Sequence, residues 1–358
     1  MHRLMAGVTI LEHELSELRL LVERQSGILL DCPNSELAAH VANYVEKHEL
    51  DSPAALLNRL RGCELDPAEL VAFLEGALNG TTGFFRHPGA MNALSRHIIP
   101  QLYARKSSEG SRTLRIWSAG CATGEEAYSI AMSACESMPA VSGSGNGNGS
   151  SSSNNPKENK ASRNGGITEN SVPSAAPQPV RDWSIHIVGS DLLPSSIAIA
   201  ERGLYLQSSL AGLPPAIIRA CFSKVGASNG SPASNTDITN GAPDAAVNVS
   251  GNGASGATYL LVKPRLRSLV TFNTMNLTKP VYIGRFDCIF CMDVLPHLSR
   301  TQRAALIERL HLYREPGGYL FLSQTEKLCL TNLNFRSETY DGYTFHRKPL
   351  AASAAYGR

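Results

Sequence analysis

The 358-residue sequence has no apolar run approaching the roughly 20 residues that a membrane-spanning helix needs. It has no dominant sign of charge either: 33 Lys and Arg face 31 Asp and Glu, for a net +2. So close a balance gives no global field for nucleic acid or an anionic membrane. No basic stripe is interleaved with aromatics, which argues against a nucleic-acid surface. The stretch after Met1 carries charge every few residues and lacks the apolar core of a secretory signal, so a cytoplasmic setting is expected. The eight cysteines are scattered, as in a reduced protein. Cys288 and Cys291 form a C-x-x-C, but within "FDCIFC", which reads as a buried strand packed for its volume. No metal site is expected.

What is there is strongly segmented, and the length suggests two domains. Two stretches, about 140–180 and about 226–256, are rich in Gly, Ser, Asn and Pro with few large apolar residues. They cannot bury enough surface to offset chain entropy and are expected to be disordered insertions. Ahead of them, "LSELRLLVER" and "LAAHVANYVEKH" carry apolar residues at helical spacing, and "DPAELVAFLEGAL" opens with Asp66, Pro67 and Glu69, a helix-start signal. An all-helical N-terminal domain over 1–88 follows. The remainder, 89–350, alternates strands ("LRIW", "SIHIVGSD", "LVTFNTMNL", "FDCIFC", "YLFLS") with helices ("EEAYSIAMSACE", "PSSIAIAERGLY", "TQRAALIERLHLY"), with "EPGG" as a turn. Such alternation predicts an α/β fold with a doubly wound parallel sheet, whose ligands bind beyond the carboxyl ends of the strands.

The stretch "RIWSAGCATGEEAYSIAM" reads as a strand, a glycine turn and a helix start. It lacks the G-x-G-x-x-G spacing of a dinucleotide site, and Glu125 and Glu126 stand where a phosphate would otherwise dock. Two carboxylates suit the helix dipole but repel phosphate. A ligand with a cationic end fits better; S-adenosylmethionine carries an ammonium and a sulfonium and no phosphate. The alternative is that the pair only caps the helix. Asp191, at the end of the second strand, can accept hydrogen bonds from both hydroxyls of a ribose.

Six motifs, "TTGFFRHP", "IWSAGCATGEEAYSIAM", "SDLLPSSIAIAERGLY", "LLVKPRLRSLVTFNTMNL", "FDCIFCMDVLPHL" and "PGGYLFLSQTE", occur in the order found in CheR-type chemotaxis receptor methyltransferases. "SGILL" is similar to that family's N-terminal domain. The resemblance implies a Rossmann-like methyltransferase domain with a small antiparallel β-subdomain behind the helical domain. It also implies S-adenosylmethionine as donor and glutamates of chemoreceptor cytoplasmic helices as acceptors. It assigns Thr82 and Arg86 of the T-x-F-F-R element to the cofactor pocket, with Phe84 and Phe85 packing around Arg86. Glu126 becomes the partner of the methionine ammonium, Asp191 the ribose residue and Asn276 with Leu277 the pair flanking adenine. Asp293 and Val294 fall at cofactor-contacting positions. Arg86 can pair with the carboxylate of the cofactor or of the incoming glutamate. Residue by residue the plainer alternatives are a surface arginine at 86 and a turn former at 276.

The sequence departs from the family in several places. Met292 and Asp293 replace its Arg-Asn; Pro296, His297 and Leu298 replace its Ile-Tyr-Phe; Gly80, beside Asn79, stands at an asparagine position. A glutamate side chain, with a reference pKa of about 4.3, is ionised at neutral pH and needs no general base. Loss of the tyrosine therefore need not abolish transfer. His297 would matter as a catalytic base if the acceptor were an amine or hydroxyl, and otherwise caps a helix without a chemical part. The stretch "SELAAHVANYVEKHEL", where the family carries an arginine-rich helix, offers only His40, Lys47 and His48 as cations, so steering toward acidic receptor helices should be weak. The competing reading is a module that binds S-adenosylmethionine or S-adenosylhomocysteine and signals without turnover.

Overall fold

The structure, a computed structural model, describes residues 10–62, 68–78, 82–137, 183–225, 258–280, 283–326, 333, 335–350. Both Gly/Ser/Asn-rich stretches lie outside the described residues, as do Asp66, Pro67, Asn79 and Gly80. The chain begins with helices α1 (Glu12–Ser26), α2 (Asn34–Lys47), α3 (Pro53–Gly62) and α4 (Ala68–Ala77). Leu15, Leu18 and Val22 of α1 and Leu37, Val41, Tyr44 and Val45 of α2 are buried, the faces that the spacing predicts. Next come α5 (Pro88–Ala93), a π turn (Leu94–Ile98), α6 (Ile99–Ser108), β1 (Thr113–Ala119), α7 (Glu125–Ser137), β2 (Ser184–Asp191) and α8 (Pro194–Arg202). They are followed by β3 (Leu204–Leu206), α9 (Pro215–Cys221), β4 (Phe222–Lys224), β5 (Tyr259–Val262), α10 (Pro264–Arg267) and β6 (Val270–Thr274). The chain closes with β7 (Phe286–Phe290), α11 (Arg300–Leu312), β8 (Arg314–Phe321), β9 (Arg336–Tyr340) and β10 (Tyr343–Arg347).

Seven strands form one sheet in the order β6-β2-β1-β7-β8-β10-β9. The first five are parallel; β10 and β9 add an antiparallel edge, which the strand–helix alternation does not reveal. The order reverses between β1 and β7, the switch point at which sheets of this kind bind ligands. Side chains alternate across the sheet. Ile116, Cys288, Phe290 and Phe321 pack with α7, α6 and the small sheet on one face. Trp117, Ile289, Leu320 and Leu322 pack with α11 and with α1–α4 on the other. Strands β3, β5 and β4 form the small antiparallel sheet, and the second polar stretch joins β4 to β5.

Two local readings change. The helix of "PSSIAIAERGLY" ends at Arg202, because Gly203 takes φ +61° and turns the chain into β3. "EPGG" lies within β8, where the register with β7 shifts between Phe286 and Cys288. Cys288 and Cys291 are both in the core, and burial raises both thiols. Among the described residues no helix is long and apolar enough to cross a membrane.

The β1–α7 turn leaves no room for a side chain at Gly124, where φ is +96° and an added Cβ would lie 2.7 Å from Ala200 Cβ. Gly124→Ala should therefore destabilise the protein by about 1–3 kcal/mol. A denaturant midpoint equal to that of the parent would contradict this.

Candidate functional site

A cleft of about 670 Å³ opens over the carboxyl ends of β1, β2, β6 and β7, and α2 and α4 close its far wall. The volume is within the roughly 300–1,000 Å³ of small-molecule sites. Thr82, Arg86, Glu126, Asp191, Asn276, Leu277, Asp293, Val294 and His297 all line it. Six carboxylates (Asp31, Glu36, Glu75, Glu126, Asp191, Asp293) and one arginine, Arg86, are among its lining residues.

The floor is the β1–α7 turn. Gly120 and Cys121 donate backbone N–H to Ser190 O at 2.8 and 2.9 Å, and Ala122 N–H donates to Asp191 Oδ2 at 2.9 Å. The end of β2 thus clamps the turn. Gly120 has φ +84°, and a Cβ there would lie 2.4 Å from Val294 Cγ2, so the missing side chain lets the β7 loop close on the floor. The two carboxylates then part. Glu125 turns inward and accepts from Thr123 Oγ1 at 2.7 Å and Thr82 Oγ1 at 3.4 Å. It is buried, and burial raises its carboxyl group. Glu126 faces the cleft and accepts from Ser118 Oγ at 2.6 Å. Burial, with smaller contributions from Asp293 and Glu326, pushes its carboxyl group up to about 7; Ser118 and Arg86 act the other way.

Asp191 closes β2. Its Oδ1 accepts from Leu193 N–H at 3.0 Å, and burial outweighs its backbone partners to raise its carboxyl group. Asn276 spends its side chain locally: Oδ1 accepts from Thr278 N and Oγ1 at 2.9 and 2.8 Å, and Nδ2 donates to Ser26 O at 3.2 Å. The amide therefore builds the turn that presents Leu277 and also ties it to the end of α1. His297 is exposed at the rim; its carbonyl accepts from Leu29 N–H at 2.8 Å, and Ile28 pairs with Leu298 in an isolated antiparallel bridge.

The segment 82–87 forms one side. Phe84 meets Tyr205 and Phe222 edge-on, at ring separations of 5.0 and 5.4 Å, joining this segment to the small sheet. Phe85 has φ +51° and donates its N–H to Ser129 Oγ at 3.0 Å. Ala122 and Asp293 also have positive φ, +46° and +57°. Backbone strain of this kind is held where the surroundings over-determine it, and Phe85, Ala122 and Asp293 all line this cleft.

Two participants are not visible in the sequence patterns. His87 Nε2 lies 2.9 Å from Asp293 Oδ2, beside Arg86 Nη2 at 3.3 Å. Glu326 accepts from Leu295 N and Ser323 N at 2.9 and 2.8 Å behind Glu126. The His87–Asp293 and Glu326–Leu295 pairings cross 206 and 31 positions of chain, so no local spacing announces them; His87 and Glu326 both lie within quoted motifs without a role attached. His40, one of three cations expected on α2, has its Nε2 2.9 Å from Phe73 O, and burial lowers its pKa.

An acidic cleft with a strained glycine floor accepts a ligand carrying positive charge and a ribose more readily than a polyphosphate. The residues fit S-adenosylmethionine: Glu126 for an ammonium, Asp191 for hydroxyls and Leu277 for an apolar ring.

Comparison with known proteins agrees. The model of the CheR methyltransferase S-adenosylmethionine-binding domain matches residues 80–145 and 241–343. Chemotaxis protein methyltransferase 1 of Pseudomonas aeruginosa is 25% identical over 313 residues, 87% of this chain and 88% of the relative. The chemotaxis protein methyltransferase of Vibrio anguillarum is 24% identical over 330 residues, 90% and 92% of the two chains. A probable chemotaxis protein methyltransferase of Rhizobium etli is 25% identical over 272 residues, 74% and 76%. This chain carries a match to the S-adenosylmethionine-binding domain of the CheR methyltransferases over residues 80–145 and 241–343, and it is similar over most of its length to chemotaxis protein methyltransferases.

Proposed function

We propose that this chain is a cytoplasmic enzyme that methylates glutamate side chains on the cytoplasmic helices of chemoreceptors, forming γ-methyl esters. The observation that carries this reading is the convergence of the motif residues on one acidic cleft at the β1–β7 switch point, with Arg86 beside the end of β7. The relatives, named as chemotaxis protein methyltransferases, support the chemotaxis setting.

S-adenosylmethionine, when bound, supplies an electrophilic methyl group on a sulfonium. The chain's own residues bind and align. Glu126 pairs with the ammonium, Asp191 receives the ribose hydroxyls, and Leu277, on the turn that Asn276 builds, covers the adenine. Val294 and Thr82 complete the donor's walls, and Asp293 helps fix Arg86. Arg86 would hold the acceptor carboxylate, which is ionised at neutral pH and needs no general base. Orientation of this kind is worth up to roughly 7–11 kcal/mol, so the exposed His297 need not act chemically. A binding module without turnover is the outcome to exclude.

Incubation with labelled donor and receptor-bearing membranes should give label released as methanol by alkali. Donor binding without label transfer would support the module, and alkali-stable label a different nucleophile. Asp191→Ala should weaken S-adenosylmethionine binding about 10- to 100-fold, the loss of charge-assisted hydrogen bonds. Arg86→Ala should leave that affinity nearly unchanged while lowering kcat/KM for the receptor. Calorimetry and initial rates check the pair, and an unaffected Asp191→Ala would remove the assignment.

The state of Glu126 gives a pH test. Burial pushes its carboxyl group up to about 7, and only the ionised form pairs with an ammonium. Donor affinity should therefore fall as pH drops below about 7, by up to about tenfold per pH unit for one coupled proton. Glu126→Gln should flatten this dependence; a parent titration that is already flat from pH 8 to 6 would count against the role.

A further inference from the structure

Asp293 is held twice through one oxygen. His87 Nε2 lies 2.9 Å and Arg86 Nη2 3.3 Å from its Oδ2. An ionised carboxylate only accepts, so His87 Nε2 carries the hydrogen and donates. Asp293 follows β7 with φ +57°, a conformation that aims its side chain and needs holding. His87 stands at the head of α5, where its carbonyl accepts from Met91 N–H at 3.2 Å. Its ring position is therefore tied to a helix start.

The two donors are not equivalent. The Arg86 side chain is 44% exposed and makes the longer contact, whereas that of His87 is 23% exposed on a short, stiff ring. Arg86 can turn toward a second carboxylate; His87 has far less freedom to leave. If Arg86 were the sole donor, turning it toward another carboxylate would strip Asp293. The negative charge of Asp293 already raises the carboxyl groups of Glu126 and Glu326 nearby, so a bare Asp293 would be costly there. A donor that stays behind removes that cost.

Resting on the glutamate-acceptor reading above, we propose that His87 is a positioning residue, which keeps Asp293 satisfied so that Arg86 is released to hold the acceptor carboxylate. His87 therefore sets affinity for the acceptor and not for S-adenosylmethionine, and it acts only through the charge on Asp293.

The test uses the full chain with receptor-bearing membranes and, for the donor site, S-adenosylhomocysteine. His87→Ala, and the bulkier His87→Leu in case the smaller residue unfolds the α5 start, should raise the receptor KM about tenfold. Affinity for S-adenosylhomocysteine should stay unchanged. His87→Gln, whose amide can donate to Asp293, should recover most of the loss. In an Asp293→Asn background, where there is no charge to satisfy, removing His87 should cost little more. An unchanged receptor KM in both His87→Ala and His87→Leu overturns the proposal. So does an equal penalty with and without the Asp293 charge, which would assign His87 to packing alone. Failure of the parent chain to release methanol sinks the glutamate reading and this inference with it. Methanol release with an unmoved KM sinks only the role of His87.

Discussion

The clamp between the β1–α7 turn and the end of β2 holds the rest of the site in place. Ser190 O receives two consecutive amides, Gly120 and Cys121, and Asp191 receives the next, from Ala122. One strand end thus fixes three residues of a turn whose backbone is left-handed at Gly120, Ala122 and Gly124. The consequences run outward. The tight turn sets the start of α7, which decides that Glu125 faces the protein and Glu126 the cleft. The bare Cα of Gly120 lets Val294 approach, and that contact draws the loop after β7 over the floor. Ser129, one turn into α7, receives the N–H of Phe85 and so locates the segment that carries Arg86.

This arrangement has an electrostatic cost that its ligand can remove. Burial raises Glu125, Glu126, Asp191 and Glu326. A folded-state carboxyl group raised above its unfolded value holds a proton that the unfolded chain has lost. Its contribution to stability therefore falls as pH rises from the ordinary carboxylate range through the folded value, about 7 for Glu126. The fold gives up some stability near neutrality to keep negative charge facing the cleft. A ligand with a fixed positive charge offsets that cost when it binds, which couples folding stability to donor binding. The same charges oppose a triphosphate.

The sequence carries local signals well and distant pairings poorly, and the site shows both. The sheet was legible because β1, β2 and β7 are apolar runs bounded by turns and followed by helices, and the glycine turn could be read from residue types alone. The antiparallel edge of β9 and β10 gave no such alternation. Asn276 shows the limit on side chains. Its residue type suggests a base-contacting amide, yet its oxygen is taken by Thr278 and its nitrogen by Ser26, 250 positions away in the chain. Ser26 O also lies 2.7 Å from Thr278 Oγ1, whose one hydrogen is shared between that carbonyl and Asn276 Oδ1. The pairing of His87 with Asp293, 206 positions apart, escaped for the same reason, although Asp293 itself was legible as a site position. Glu126, Asp191, Asn276 and Asp293 converge because they lie just at or beyond strand ends, where topology does the gathering, whereas Thr82 and Arg86 arrive on the segment before α5; their partners depend on packing that no local pattern encodes.

The wall built by α2 and α4 carries the argument toward the acceptor. An acidic receptor helix would be drawn by cations there, but few are available. The ring of His40 packs 4.7 Å from that of Phe73, and burial lowers its pKa, which disfavours its charged form. The ring of His48, just past the helix, stacks on that of Tyr44 at 4.0 Å, and Lys47 is the one Lys or Arg on α2. Glu75 is occupied in bonding Ser195 N–H at 3.0 Å, whereas Asp31 and Glu36 are exposed at the cleft. Long-range attraction to an acidic partner is therefore weak, and encounter should lie near the unsteered range of about 10⁵–10⁶ M⁻¹s⁻¹. Under the proposed glutamate reading, selection of the acceptor would then fall to contacts made after encounter, around Arg86, His87 and Asp293, rather than to the field of the helical region.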